Sequence, residues 1–328
     1  MRKRAVQRIV GSFAVFAISA VLCFGLLLYA DDSEAVNGLK TLLLSAFSSE
    51  EGIQITLMYW PILILTGLSV GAAWKTGLIN LGVPGQMLIG ALLARLGALR
   101  LALPWWACLT LAALGGALWS AMTGAVNNRF RLRAVLSAMT LNFIALYLAR
   151  WAKEEWLGGL NENASQAGAA LPALRIRDGF SVSIALPVTL ILCLAIWIVI
   201  RFTVFGFEMK TGASNPEAAK RAGMPTKRNV TLELFLSGAF SGLAGGICLL
   251  SGLLDASLET ASSLLGFTGI PVAMLSFGHP LGTLVTAFAA ANIWTGSEAL
   301  PAVYPREAGM ALLAAALLGS AVLHRKQR

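Results

Sequence analysis

The stretch TGLINLGVPGQMLIGALLA, residues 76–94, is an apolar run broken by Gly77, Gly82, Gly85 and Pro84, and it carries two amides, Asn80 and Gln86. Proline inside a helix removes one backbone donor and crowds the carbonyl one turn earlier. Freed backbone groups cannot face lipid, so such a stretch is expected to be buried in protein or to line a watery cavity. Asn80 and Gln86 suit contact with a neutral polar solute. They suit equally a hydrogen bond between helices with no solute involved.

Working outward, the same apolar character continues along the chain. Of 328 residues, 57% are hydrophobic and 12% are charged, against about 25% charged in a soluble domain. A bilayer core needs about 20 apolar residues per helix. Candidate spans fall at 9–30, 54–73, 77–98, 104–126, 134–150, 183–203, 230–253, 264–278, 281–298 and 307–323. The eighth and ninth are short, separated by Gly278-His279-Pro280, and read as candidate half-helices. The longest polar loops, 153–180 and 201–229, are too short for an independent core. The expected fold is therefore all-α and polytopic, about ten transmembrane helices in one domain over 1–328, with Gly- and Pro-broken segments.

Charge orients the spans. With the N-terminus in the cytoplasm, Arg2, Lys3, Arg4 and Arg8 fall inside, as do Arg129, Arg131, Arg133, the six basic residues between Arg201 and Arg228, and the basic C-terminus. Most acids, among them Asp31, Asp32, Glu34, Glu50, Glu51, Glu154 and Glu155, fall outside. This positive-inside arrangement implies an even number of spans and both termini in the cytoplasm. The first apolar run is longer than the core of a cleaved signal peptide and reads as a retained span. The net charge of +9 follows from the same asymmetry. No basic run is interleaved with aromatics in a polar setting, so nucleic-acid binding is not expected. Cys23, Cys108, Cys193 and Cys248 lie singly in apolar runs, so no metal site, disulfide or cofactor is expected.

Outside the spans, residues 31–52 read as a short surface helix and 157–179 as an irregular loop. Spans two to five and seven to ten would enter from opposite sides, which suggests inverted repeats. The glycines at the start of span three and Gly266 and Gly269 at the start of span eight would then be matching breaks.

Two further segments carry chemistry. In GASNPEAAKRAGMPTKRN, residues 212–229, Asn215 suits a helix cap, Pro216 its first turn and Glu217 its positive dipole end. Ala218, Ala219 and Ala222 favour helix, and Gly223 suits its end. One short helix with a small alanine surface is expected. It suits docking into a groove of another protein, or it is a solvated loop. In LLGFTGIPVAMLSFGHPLG, residues 264–282, Thr268 is a hydroxyl for solute or helix, and His279 is expected to be a structural hydrogen-bonding group. Asn142 is the clearest polar group in mid-span. Glu233 and Glu298 fall near span ends, which argues against ion coupling. No clustered His, Asp, Glu or Ser at a membrane face suggests a membrane enzyme. No phosphate-binding loop occurs, so ATP would have to be bound by another subunit.

These segments together resemble one family. GLINLGVPGQMLIGALLA, LSAMTLNFIALYL (136–148), GASNPEAAKRAGM and GFTGIPVAMLSFGHPLG stand in the order and spacing of ABC importer permeases of the sugar, nucleoside and branched-chain amino-acid group, nearest the nucleoside-type branch. Pro84, Pro271 and His279 depart from that pattern. The resemblance implies a bacterial inner-membrane permease with no catalytic residue of its own, importing a small polar solute, a nucleoside or else a simple sugar. Asn80, Gln86, Asn142 and Thr268 would lie along the solute path. It also implies a second, different permease chain, an extracytoplasmic solute-binding protein and two ATP-binding subunits. The latter would grip a coupling loop, 204–229, through Asn215, Pro216, Glu217, Ala218, Ala219 and Gly223.

Overall fold

The computed structural model describes residues 2–30, 34–74, 80–130, 134–157, 169–177, 179–253, 258–301, 304 and 308–326. Its elements in order are α1 (Arg2–Ala30), α2 (Ala35–Ser48), α3 (Glu50–Trp74), α4 (Val83–Leu99), α5 (Trp105–Phe130), α6 (Ala134–Leu157), β1 (Ala173–Arg177), β2 (Phe180–Ser183), α7 (Ala185–Phe202), α8 (Val204–Ser214), α9 (Pro216–Arg221), α10 (Thr226–Leu250), α11 (Leu258–Leu275), α12 (Pro280–Glu298) and α13 (Ala308–Lys326).

Each of the ten expected runs has its helix. Among the described residues, six are long and apolar enough by themselves to cross a membrane: α1, α3, α5, α6, α7 and α10. The apolar parts of α4, α11 and α13 are shorter. The protein is thus an all-α, multi-pass membrane protein, with six helices rather than ten meeting that criterion unaided.

Several local expectations are corrected. Pro84 does not interrupt a helix. Residues 80–82 are non-helical and α4 starts at Val83, so Pro84 sits in the first turn, where no donor is required of it. The beginning of the expected third span, 77–79, lies outside the described residues. Gly266 and Gly269 break nothing either, because α11 runs through both. They are there for clearance: a Cβ on Gly266 would lie 2.8 Å from Pro84 Cα, and one on Gly269 would lie 2.7 Å from the Thr66 carbonyl. The true break falls at 276–279, where Phe277 (φ 53°) and Gly278 (φ 60°) turn the chain. His279 then caps α12, its Nδ1 accepting from Gly282 N–H at 3.4 Å, the structural role expected of it.

The 31–52 segment is not a surface appendage. One face of α2, including Gly38, Leu42, Ser45 and Ala46, is buried. Asn292 of α12 clamps it: Oδ1 accepts from Ala46 N–H at 2.7 Å, and Nδ2 donates to the Leu43 carbonyl at 2.6 Å. Within the expected 157–179 loop, β1 pairs with β2 as an antiparallel hairpin. Residues 158–168 and 178 lie outside the described residues.

Packing supports the internal repeat better than the glycines do. Helix α3 packs on α11 and α12, as α10 packs on α4 and α5. Helix α4 lies against α5 and α6, as α11 lies against α12 and α13. The remaining partners are self-matched, since α3 crosses α10 and α4 crosses α11. Exchanging α3–α6 with α10–α13 therefore maps the principal contacts onto one another. Backbones approach closely at the second cluster. A Cβ on Gly90 would lie 2.4 Å from the Gly242 carbonyl oxygen, and one on Gly116 would lie 2.3 Å from that of Gly238. Small residues at such crossings are how membrane helices gain packing contact without a hydrophobic driving force.

Candidate functional site

The crossing of α3 and α10 is polar. Ser69 of α3 meets Ser237 and Ser241 of α10, all fully buried. The segment before α4 adds Asn80, and α4 adds Gln86, 6% and 1% exposed. Gly82 N–H donates to Asn80 Oδ1 at 2.9 Å. A backbone amide donates only, so this contact fixes which end of Asn80 is oxygen. Asn80 Nδ2 then spends its two hydrogens best on Gln86 Oε1 (2.9 Å) and Ser237 Oγ (2.6 Å). Gln86 Nε2 donates back to Asn80 Oδ1 at 3.2 Å.

The hydroxyls continue the chain in one direction. Ser237 Oγ donates to the Ser69 carbonyl at 2.9 Å. Ser69 donates to Ser241 Oγ across 2.7 Å. Ser241 donates to the Ser237 carbonyl at 3.2 Å. Every serine hydroxyl of the network donates once within the protein. In this conformation the two amides hold the helix crossing and each other.

Asn142, half-buried on α6, does similar work at the start of α4. Its Oδ1 accepts from Gly85 N–H at 3.1 Å, and its Nδ2 donates to the Leu81 carbonyl at 2.9 Å. It thus joins Asn80 and Gln86 at one place, the non-helical entry to α4. Thr268 lies elsewhere. Buried on α11, it donates to the Leu264 carbonyl at 2.9 Å and accepts from Trp294 Nε1 at 3.3 Å. Trp294 stacks on Tyr59 with ring centres 5.7 Å apart, and Tyr59 hydroxyl donates to the exposed Glu298 carboxylate. The structure therefore gathers three of the four expected path residues and gives the fourth an aromatic and acidic setting.

Sequence reading missed Ser69, Ser237, Ser241, Tyr59 and Trp294. Ser237 and Ser241 carried a usable signal: hydroxyls four apart share one helix face. Ser69 had none, because its partners are about 170 positions away.

Residues 212–229 build the one short helix expected of them, α9, between the end of α8 and the start of α10. Helix α8 is capped by Thr203, whose Oγ1 accepts from Gly206 N–H at 3.3 Å. Helix α9 is capped by Asn215, whose Oδ1 accepts from Ala218 N–H at 3.0 Å. Pro216 is in its first turn, Glu217 at its positive end, and Lys220 and Arg221 in its last turn. Gly223 follows with φ 76°, a left-handed turn that favours glycine. Glu217 and Ala218 are exposed, whereas Ala219 is fully buried. The expected alanine surface is thereby corrected. With a helical repeat near 3.6, Ala219 turns inward and seats the helix, leaving Glu217, Ala218 and Ala222 outward.

The family described as branched-chain amino acid transport system / permease component matches residues 52–321. A guanosine ABC transporter permease protein of Bacillus subtilis is 31% identical over 73% of this chain and 71% of its own length. A nucleoside ABC transporter permease protein of Lactococcus lactis is 28% identical over 80% of this chain and 77% of its own. A glucose ABC transporter permease protein of Haloferax volcanii is 27% identical over 94% of this chain and 85% of its own. With its multi-pass helical fold and a match over most of its length, the chain belongs to the permease components of the branched-chain amino acid transport system family, as an ABC transporter permease.

Proposed function

We propose that this permease forms the membrane path of an ATP-driven importer whose cargo is a nucleoside. The observation that carries the cargo is the similarity to the guanosine and nucleoside permeases. The polar groups at the α4 entry fit it, because Asn80, Gln86 and Asn142 are neutral donors and acceptors suited to hydroxyls and base edges. In the described conformation these amides are paired within the protein. On opening, solute groups would replace the Asn80–Gln86 pairing, and Thr268 would contribute farther along. A simple sugar is the second reading, supported by the glucose permease that matches nearly the whole chain. Uptake of radiolabelled guanosine in cells with and without the gene, competed by unlabelled glucose, tests the pair. Loss of guanosine uptake with no competition by glucose is expected. Intact guanosine uptake with lost glucose uptake would overturn the nucleoside reading.

The chain works as one domain, 1–328, in the inner membrane with both termini in the cytoplasm. Its partners are a second, different permease, an extracytoplasmic solute-binding protein and two ATP-binding subunits, which perform the hydrolysis. The ATP-binding subunits hold segment 204–229 at the outward side of α9, with Asn215, Pro216, Ala219 and Gly223 fixing its shape and Glu217 and Ala218 making contact. Glu217→Lys is expected to weaken co-purification of the ATP-binding subunit and to reduce uptake at least about tenfold, a loss of one charge-assisted contact. Asn215→Ala removes a cap worth about 1 kcal/mol and is expected to reduce uptake less. Wild-type uptake and co-purification in Glu217→Lys would refute the coupling role.

A further inference from the structure

Tyr59 of α3 is 6% exposed, Trp294 of α12 is half-buried, and Glu298, one turn farther along α12, is exposed. The Tyr59 ring stacks on Trp294 with centres 5.7 Å apart and planes 25° apart. Its hydroxyl donates to Glu298 Oε1. Trp294 is tethered in turn, its Nε1 donating to Thr268 Oγ1 at 3.3 Å. We propose that this cluster is a base-recognition site in which Tyr59 is the resident occupant. On opening, the guanine base of a nucleoside takes the place of Tyr59 on Trp294, with its N–H edge on Glu298. The proposal rests on the nucleoside reading above and names the part of the solute that is read.

The resident side chain shows what the site accepts: a flat aromatic ring against the indole and a hydrogen-bond donor on the carboxylate. A nucleobase presents both. Stacking on an aromatic side chain suits every base, since each has a π-face. The carboxylate narrows the choice. It accepts only, through two oxygens, so it matches an edge with two adjacent N–H donors. Guanine offers that edge through N1 and its 2-amino group, and the paired contact is charge-assisted. Adenine sets the lone pair of its N1 against the carboxylate, so the same edge is disfavoured. Position fits as well. Trp294 and Glu298 are four apart and share one face of α12. They stand at the end of α12 that the charge pattern places outside the membrane, where solute enters. Tyr59 belongs to the first repeat and Trp294 and Glu298 to the second. An opening that parts the repeats therefore draws the phenol off the indole and leaves both groups to a solute. Thr268 then acts by orienting Trp294.

Uptake of radiolabelled guanosine and adenosine by cells carrying the whole transporter tests the assignment. The solute-binding protein is the same in every strain, so a change in discrimination belongs to the permease. Glu298→Gln keeps the shape of an exposed residue but leaves one acceptor and one donor, the pattern that pairs with adenine. Guanosine uptake is expected to fall about tenfold relative to adenosine uptake, the loss of one charge-assisted contact. Trp294→Leu should reduce uptake of both nucleosides about tenfold, the loss of one stacked base. Trp294→Phe keeps a flat face and should retain most of it. Unchanged discrimination in Glu298→Gln, or equal guanosine uptake by Trp294→Leu and Trp294→Phe, would overturn the base site and leave the nucleoside reading standing. Parent cells that carry neither nucleoside would overturn both.

Discussion

Gly242→Val is expected to leave little folded transporter. A Cβ at Gly242 would lie 2.1 Å from the Ala112 carbonyl oxygen and 3.0 Å from Gly116 Cα. Both atoms are backbone of α5, so no rotamer change relieves the contact and the helices must separate. Separation would also pull α10 from α4, where Gly90 rests on Gly242 itself. Overpacking costs about 1–3 kcal/mol and occasionally more, and this site belongs to the upper end because three helices share it. The check is size-exclusion profile and melting temperature of the detergent-solubilised protein. Gly25→Ala supplies the control, since a Cβ there meets nothing within 4 Å and should change neither. A monodisperse Gly242→Val with the parent's melting temperature would show that the crossing is looser than described.

Asn80→Leu is the second large effect. It strands Gly82 N–H, both ends of the Gln86 amide and the acceptor side of Ser237. Each buried group left unsatisfied costs about 1–3 kcal/mol, so a loss of about 3 kcal/mol or more is expected, with uptake falling accordingly. Asn80→Asp separates shape from hydrogen direction. It keeps an acceptor for Gly82 N–H and Gln86 Nε2 but places a second acceptor against Gln86 Oε1. Its melting temperature should fall well below the parent's despite equal size. Ser69→Ala removes one hydroxyl and should cost about 1 kcal/mol. Melting temperatures equal to the parent's in both Asn80 variants would contradict the hydrogen-bond order assigned here.

The helices and the capped α9 were legible because their signals are local. Apolar runs of span length and the Asn215-Pro216-Glu217 sequence need no distant partner to be read. Pro84 was misread because proline ends some helices and begins others, and only the non-helical 80–82 decides between them. Gly266 and Gly269 were misread for a related reason: glycine marks either a turn or a close approach, and the second depends on Pro84 and Thr66 arriving from elsewhere. The buried face of α2 depends on Asn292, about 250 positions away. The hairpin was missed although Leu174-Arg175-Ile176-Arg177 alternates with the period of a strand. Of the site residues, Asn80, Gln86 and Asn142 were found as polar groups in apolar runs. That Asn80 and Gln86 pair with each other, and that Asn142 holds the backbone beside them, follows only from the fold.

The self-matched crossings, α3 on α10 and α4 on α11, have a mechanical consequence. Two elements that map onto each other under an internal two-fold exchange must meet on its axis, so both crossings mark points on one line through the protein. A rocking motion about that line displaces atoms in proportion to their distance from it. The Ser69–Ser241 contact and the Pro84–Gly266 contact would act as the fulcrum and stay nearly still. Helix α9 and the Tyr59–Glu298 pair lie away from these two contacts, so the same rocking would displace them more than the fulcrum.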